Sequence, residues 1–180
     1  FGVDTAGIDW IPEVQVESAN AYSPVSRSIF NRTMRELALD CSRFVFVDFG
    51  CGKGKTLLMA AESPFKQVIG IEISTKLAQI AEDNIRVYTG ERKCSDSRVV
   101  CADARQYVLP SEPAVVFFYD PFKLEAMTTV LENIRRSLIA TPREVYVVYV
   151  EASWRSLLDD APFLVPLKQD RWYSLYKALS

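Results

Sequence analysis

Two kinds of apolar pattern alternate along the chain. Runs rich in β-branched and aromatic residues occur at 44–49 (FVFVDF), 67–71 (QVIGI), 98–101 (RVVC), 114–119 (AVVFFY) and 145–150 (VYVVYV). Such near-continuous runs suit strands buried on both faces of a parallel sheet. Between them the apolar spacing changes to threes and fours. Leu124, Met127, Leu131, Ile134 and Leu138 stack on one face and predict a helix over 123–138. Leu77, Ile80, Ala81, Ile85 and Tyr88 do the same over 76–88, with Gly90 as the stop. Ser23 and Pro24 read as an N-cap and a first-turn proline. They open a helix to about Leu39 whose Val25, Ile29, Met34, Leu37 and Ala38 lie against the sheet. Strands alternating with amphipathic helices place the chain in the α/β class, with helices on both faces of a mostly parallel sheet.

After Val150 the rhythm breaks. A short helical stretch precedes two extended runs, 163–167 and 171–177, joined by polar residues 168–170, which predicts a hairpin that adds an antiparallel strand. Residues 1–22 show little periodicity, and Trp10, Ile11, Val14 and Val16 suit a strap across the sheet or a lid over the site. The remainder, 23–180, reads as one domain. Phe1 in place of Met reads as the start of a fragment whose true N-terminus is missing.

Composition narrows the chemistry. A chain of 180 residues that is 49% hydrophobic can bury roughly 70% of its unfolded surface without a staple. Lys plus Arg is 21 and Asp plus Glu is 23, a net charge of −2 that argues against a broad basic surface for nucleic acid. No run reaches the roughly 20 apolar residues of a membrane span, and no signal-peptide pattern opens the chain. Cys41, Cys51, Cys94 and Cys101 have no metal-like spacing and read as free thiols in a reducing cytoplasm. There is no histidine at all. That removes Ser-His-Asp and Cys-His nucleophilic machinery and His-ligated zinc. Proton handling falls to carboxylate, Tyr, Cys, Lys or water.

The most informative segment is Val47-Asp48-Phe49-Gly50-Cys51-Gly52-Lys53-Gly54-Lys55-Thr56, set between a strand and an apolar helix. A nucleotide-like ligand lies against a helix N-terminus in such a setting. The dinucleotide fingerprint G-x-G-x-x-G fails, because Lys55 stands three after Gly52. A Walker A loop needs four residues between its first glycine and the GK[ST] triplet, and Gly50 is followed by only three before Gly54-Lys55-Thr56. The ATP reading remains a near miss, since 115–120 (VVFFYD) would pass for a Walker B strand. What the loop matches is acidic-x-G-x-G-x-G, with Asp48 at the strand end.

On this loop the chain resembles the class I S-adenosylmethionine-dependent methyltransferases, and further motifs follow in order. The resemblance implies a Rossmann-like seven-stranded sheet with an antiparallel C-terminal strand and S-adenosyl-L-methionine as cofactor. Asp48, Gly50, Gly52 and Gly54 would form the cofactor loop, with the Asp48 carboxylate facing the cationic methionine part. Glu72, about twenty residues on at the end of a strand, would accept from both ribose hydroxyls, with Ile73 as an apolar wall for adenine. Asp103 would accept from the adenine amino group and the Ala104 N–H would face the ring. Read alone, Asp103 is a surface residue that begins a helix.

Residues 118–122 (Phe-Tyr-Asp-Pro-Phe) close the fourth strand. Families that methylate amines on flat groups often carry [DN]-P-P-[FY] here, and this chain departs from that pattern with a single proline. Asp-Pro is also an ordinary strand-ending turn. By resemblance Asp120 orients or deprotonates the nucleophile, aided by Tyr119, while Pro121 and Phe122 contact the substrate. Glu151 reaches the same rim, and Asp120 and Glu151 alone do not supply the ligand set of a metal-dependent site. Segments 1–5, 22–24, 47–50 and 119–122 look like a group of small bacterial methyltransferases of unassigned substrate. The expected reaction is methyl transfer to an N or O nucleophile, with a protein side chain or small molecule favoured over nucleic acid. The competing readings are a non-catalytic S-adenosylmethionine-binding regulatory module and a P-loop NTPase.

Overall fold

Five parallel strands, β1 (Val45–Phe49), β2 (Gln67–Glu72), β3 (Ser97–Cys101), β4 (Ala114–Tyr119) and β5 (Val145–Val150), form the body of the sheet. The structure, a computed structural model, describes residues 2–5, 20 and 24–179. A C-terminal hairpin of β6 (Leu164–Gln169) and β7 (Tyr173–Ala178) completes seven strands in the order β3-β2-β1-β4-β5-β7-β6. β7 inserts beside β5 and runs antiparallel to both of its neighbours. The strand order reverses between β1 and β4, so a crevice opens at their C-terminal ends.

Helices α1 (Arg27–Leu37), α2 (Lys55–Ala61), α3 (Thr75–Val87), α4 (Leu124–Ala140) and α5 (Arg155–Asp159) connect or precede the strands. Because alternate residues of a strand point to opposite faces, each central strand feeds two cores. Val47, Val116 and Val147 pack with Met127, Leu131, Ile134 and Leu138 of α4. On the other face Phe46, Phe117 and Val148 pack with Phe30 of α1 and Leu57 of α2. The ring of Phe30 lies 6.0 Å from Phe46 and 5.8 Å from Phe117, so aromatic contacts clamp α1 to the sheet. Burial on both faces explains why these strands read as continuous apolar runs.

Boundaries moved where side chains cap turns. α1 begins at Arg27 because Ser26 accepts the Ile29 N–H, and Pro24 precedes the helix. Ser23 lies outside the described residues, as do Trp10, Ile11, Val14 and Val16 of the expected strap. Phe30, Thr33 and Leu37 are the buried positions of α1, whereas Ala38 is an exposed left-handed C-cap. The hairpin turn falls two residues later than expected, because the Asp170 carboxylate accepts the N–H groups of Trp172 and Tyr173. All four cysteines are free thiols, with Cys51 and Cys94 buried and Cys101 exposed. Among the described residues no helix is long and apolar enough to cross a membrane.

Gly70 of β2 fixes how closely the loop after β1 approaches the sheet. A Cβ there would lie 2.6 Å from both Cys51 Sγ and Leu57 Cδ1. Gly70→Ala should therefore overpack the loop and cost about 1–3 kcal/mol of stability. Urea denaturation checks this: the midpoint should fall at constant slope. An unchanged midpoint would mean that the loop yields freely.

Candidate active site

The loop between β1 and α2 turns under left-handed backbone at Gly50, Gly52 and Gly54. Gly50 and Cys51 donate their N–H groups to the Ile71 carbonyl at 2.8 and 3.0 Å, fastening the loop to the end of β2. At Gly50, with φ of 80°, a Cβ would meet Pro121 Cβ at 2.5 Å. Only hydrogen fits there, so the β1 loop lies directly against the loop after β4.

Glu72 ends β2 and is 7% exposed. Its Oε2 accepts the Gly52 N–H at 2.8 Å and its Oε1 accepts the Ser74 N–H at 2.9 Å. Burial pushes this carboxyl up, and the backbone donors partly offset that. Ser74 in turn caps α3 by accepting the Leu77 N–H, and half-buried Ile73 lies between the two.

Asp48 sits beneath the loop at 2% exposure. Burial, and to a lesser extent the nearby Glu72, push its carboxyl up to about 8, against a hydrogen bond with Thr56 that favours the charge. The acid expected to face a cationic methionine group is thus buried beneath the loop and largely protonated at neutral pH in the fold alone. Asp103 caps the short turn Ala104–Gln106, accepting the Arg105 N–H at 2.9 Å. Its Oδ2 also lies 2.6 Å from Arg105 Nη2, and that guanidinium holds the carboxyl below its usual range. Ala104 is buried in the α4-side core.

Across the crevice, Asp120 is a hydrogen-bond hub held at φ 38°, unusual for a non-glycine residue. Its Oδ1 accepts the Tyr149 hydroxyl at 2.8 Å and the Ser153 N–H at 3.3 Å. Its Oδ2 accepts the Ser153 hydroxyl at 2.7 Å and Asn20 Nδ2 at 3.3 Å. Burial and the Asp120 contact push the Tyr149 phenol well up. Asn20 also reaches the Asp120 carbonyl at 2.6 Å and donates its own N–H to Pro121 at 3.0 Å. Tyr119 is half-buried against the α1-side core. Phe122, expected to wall the substrate, is 8% exposed and packs edge-on to Phe118 in the core, which leaves half-buried Pro121 as the residue beside the crevice. Exposed Glu151, at φ 50°, ends β5 one strand further along.

Several participants were invisible to periodicity and motif. Lys53, 4% exposed within the loop, places its ammonium 3.0 Å from Asp4 Oδ1. Asn84 of α3 ties both together, donating to the Asp4 carbonyl at 2.7 Å and the Lys53 carbonyl at 2.9 Å. Asn20, Tyr149 and Ser153 join the Asp120 hub from 100, 29 and 33 residues away. Among the described residues, no group of three or more Cys, Asp or Glu side chains could hold a metal ion.

A family model described as a methyltransferase domain matches residues 46–140, just over half of the chain and the whole of the β1–α4 region that carries the loop, Glu72 and Asp120. The chain belongs to this methyltransferase family. Methyltransferases of this kind use S-adenosylmethionine, and two similar structures were solved with it or its product. An RNA methyltransferase from Salinibacter ruber, in complex with S-adenosyl-L-homocysteine, is 21% identical with a TM-score of 0.57, over 87% of this chain and 92% of that one. Magnesium protoporphyrin IX methyltransferase from Synechocystis PCC 6803, with bound S-adenosylmethionine, is 15% identical with a TM-score of 0.58, over 86% and 79%. A putative methyltransferase from Escherichia coli is 16% identical with a TM-score of 0.62, over 88% and 90%. At these identities the likeness is one of fold. No curated protein matches the sequence.

The buried Asp48 of this methyltransferase carries a pH signature. Its carboxyl titrates near 8 in the fold and near about 4 in the unfolded chain. Between those values the native state binds the extra proton, so this residue's contribution to stability falls as pH rises from about 4 to 8 and then levels. Urea midpoints at pH 5 and pH 8 should drop more for the wild type than for Asp48→Asn. Equal drops would show that Asp48 ionises freely inside the fold.

Proposed function

We propose that the chain is an active S-adenosylmethionine-dependent methyltransferase that methylates an N or O nucleophile on a small molecule or protein side chain. The observation that carries this reading is the state of Glu72. It is a buried acid at the end of β2 beside a glycine loop, with Oε2 accepting the Gly52 N–H and Oε1 the Ser74 N–H. A two-oxygen acceptor at this place suits a vicinal diol, and it fits the ribose of an adenosyl group. The glycine loop supports the same fit, because the Gly50–Pro121 contact leaves no room for side chains between the two loops.

S-adenosylmethionine supplies a methyl group already bonded to a sulfonium leaving group, so the difficult electronics come with the cofactor. The chain's own work is binding, alignment and proton removal. Glu72 accepts the ribose hydroxyls, with Ile73 and Ala104 beside the base and Asp103 at its edge. Gly50, Gly52 and Gly54 give the close backbone approach, and buried Asp48 supports the loop from below. Asp120 holds the nucleophile and takes its proton. Tyr149 and Ser153 fix its carboxylate, and the two 3.3 Å bonds, from Ser153 N–H and Asn20, are those an incoming N–H or O–H replaces. Tyr119 and Pro121 flank that position.

The contacts of Asp4 with Lys53 and of Asn20 with Asp120 support an N-terminal strap or lid over 1–22, beside a domain of 23–180. Four free thiols fit a reducing cytoplasm.

Glu72→Ala should weaken S-adenosylhomocysteine binding at least tenfold, about 1.4 kcal/mol, because two charge-assisted bonds are lost. Calorimetry checks this, and unchanged affinity would remove Glu72 from the ribose. Asp120→Asn should keep that affinity and lose methyl transfer. The assay is tritiated-methyl transfer from S-adenosylmethionine into fractionated cell extract. Label in the small-molecule or protein fraction supports the acceptor assignment, and label confined to nucleic acid would overturn it. Binding without transfer to any fraction would indicate a regulatory module.

A further inference from the structure

An exposed tryptophan stands on a tightly bonded turn at the C-terminal edge of the sheet. The β6–β7 turn, residues 170–172, lies at the C-terminal edge of the sheet because β7 runs antiparallel to β5, with Tyr173 opposite Val150. Trp172 remains 41% exposed, although the Arg171 guanidinium stands 4.2 Å from its ring centre. The turn is over-determined. Asp170 Oδ1 accepts the N–H of Trp172 at 2.7 Å and of Tyr173 at 3.0 Å, and Asp170 N–H returns to the Tyr173 carbonyl at 3.0 Å. Arg155 donates to the Asp170 carbonyl at 2.5 Å, and Arg32 pairs with its Oδ2 at 3.2 Å. Glu151, itself at φ 50°, donates its N–H to the Trp172 carbonyl at 2.8 Å, tying the turn to the end of β5. The backbone on both sides of this exposed indole is thus fixed, and neither the core nor the hairpin uses its ring.

Its neighbours say what it can hold. Asp120, Glu151 and Trp172 follow β4, β5 and the turn before β7, three adjacent strands of the sheet. At about 4.8 Å per strand, Asp120 and Trp172 stand about 10 Å apart, the reach of a substituted ring. The Asp120 end accepts hydrogen bonds. The Trp172 end is aromatic and carries two guanidinium groups, Arg171 over the indole and Arg155 on the Asp170 carbonyl, with the exposed Glu151 one strand closer to Asp120. We propose that Trp172, backed by Arg171 and Arg155, is the stacking wall of the acceptor site, and that the acceptor is a small flat aromatic anion with an N–H or O–H nucleophile at its opposite end. This rests on the methyltransferase reading and narrows it from small molecule or protein to one chemical class. Aromatic faces favour a flat π-system over a saturated ring, and paired guanidinium groups favour carboxylate or phosphate.

Saturation-transfer NMR on the full chain, with and without S-adenosylhomocysteine, tests this with 4-aminobenzoate and cyclohexanecarboxylate as probes. The aromatic acid should receive signal at least fivefold above the saturated one. Trp172→Leu should abolish that difference, while Trp172→Phe keeps most of it and both variants bind S-adenosylhomocysteine as the wild type does. Equal signals from the two acids, no signal from 4-aminobenzoate, or an unaltered Trp172→Leu would overturn the assignment. Failure of S-adenosylhomocysteine to bind the wild type would instead count against the methyltransferase reading, because the probe comparison without it still reports on Trp172.

Discussion

The rest of the site depends on the Glu72 carboxylate spanning the end of β2 and the loop after β1. One oxygen is held by Gly52 and the other by Ser74, the residue that caps α3. A buried carboxylate is costly unless it is hydrogen-bonded, and these two donors are what make its position tolerable. They also make the acid a clasp: the glycine loop, the end of β2 and the start of α3 are all registered to it. Gly70 and Gly50 let the loop lie close enough for this, one by leaving room for Cys51 and Leu57 and the other by leaving room for Pro121.

The Gly50–Pro121 contact joins the loop after β1 to the loop after β4. Beyond it, two non-glycine residues, Asp120 and Glu151, occupy left-handed backbone at the ends of adjacent strands. Strain of that kind persists where surrounding contacts enforce it, and here Tyr149, Ser153, Asn20 and Trp172 do so. Four acids at one sheet edge thus have four different settings. Asp48 is buried with its carboxyl pushed up to about 8, Glu72 is buried on backbone donors, Asp103 is paired with Arg105, and Asp120 is held by neutral donors.

How much was legible in the sequence followed the range of each interaction. The five parallel strands could be read because burial on both faces leaves continuous apolar runs, and the turns of the glycine loop and the acid that ends β2 because both are local in sequence. The Asp103–Arg105 pair was within local reach, two residues apart, yet a motif match drew attention to the cofactor role instead. The Asp4–Lys53–Asn84 and Asn20–Asp120 contacts bridge 31 to 100 residues and leave no periodic trace. At Phe122 an aromatic after Asp-Pro suits a substrate wall or a core, and its burial against Phe118 follows from packing that local sequence does not show. Ala38 continued a helical apolar pattern past the residue where a left-handed cap ends the helix. Trp172 stood in a run that read simply as strand, and it gained meaning only when the hairpin placed it beside Glu151.

The central claim is that this glycine loop and its strand-end acid serve an adenosyl sulfonium cofactor, not a nucleoside triphosphate. Calorimetric titration of the wild-type chain with S-adenosylmethionine, S-adenosylhomocysteine and magnesium-ATP tests it most directly. Saturable binding of the first two near one per chain, with no heat from the third, is the predicted result. Saturable binding of magnesium-ATP, with neither adenosyl compound bound, would contradict the account.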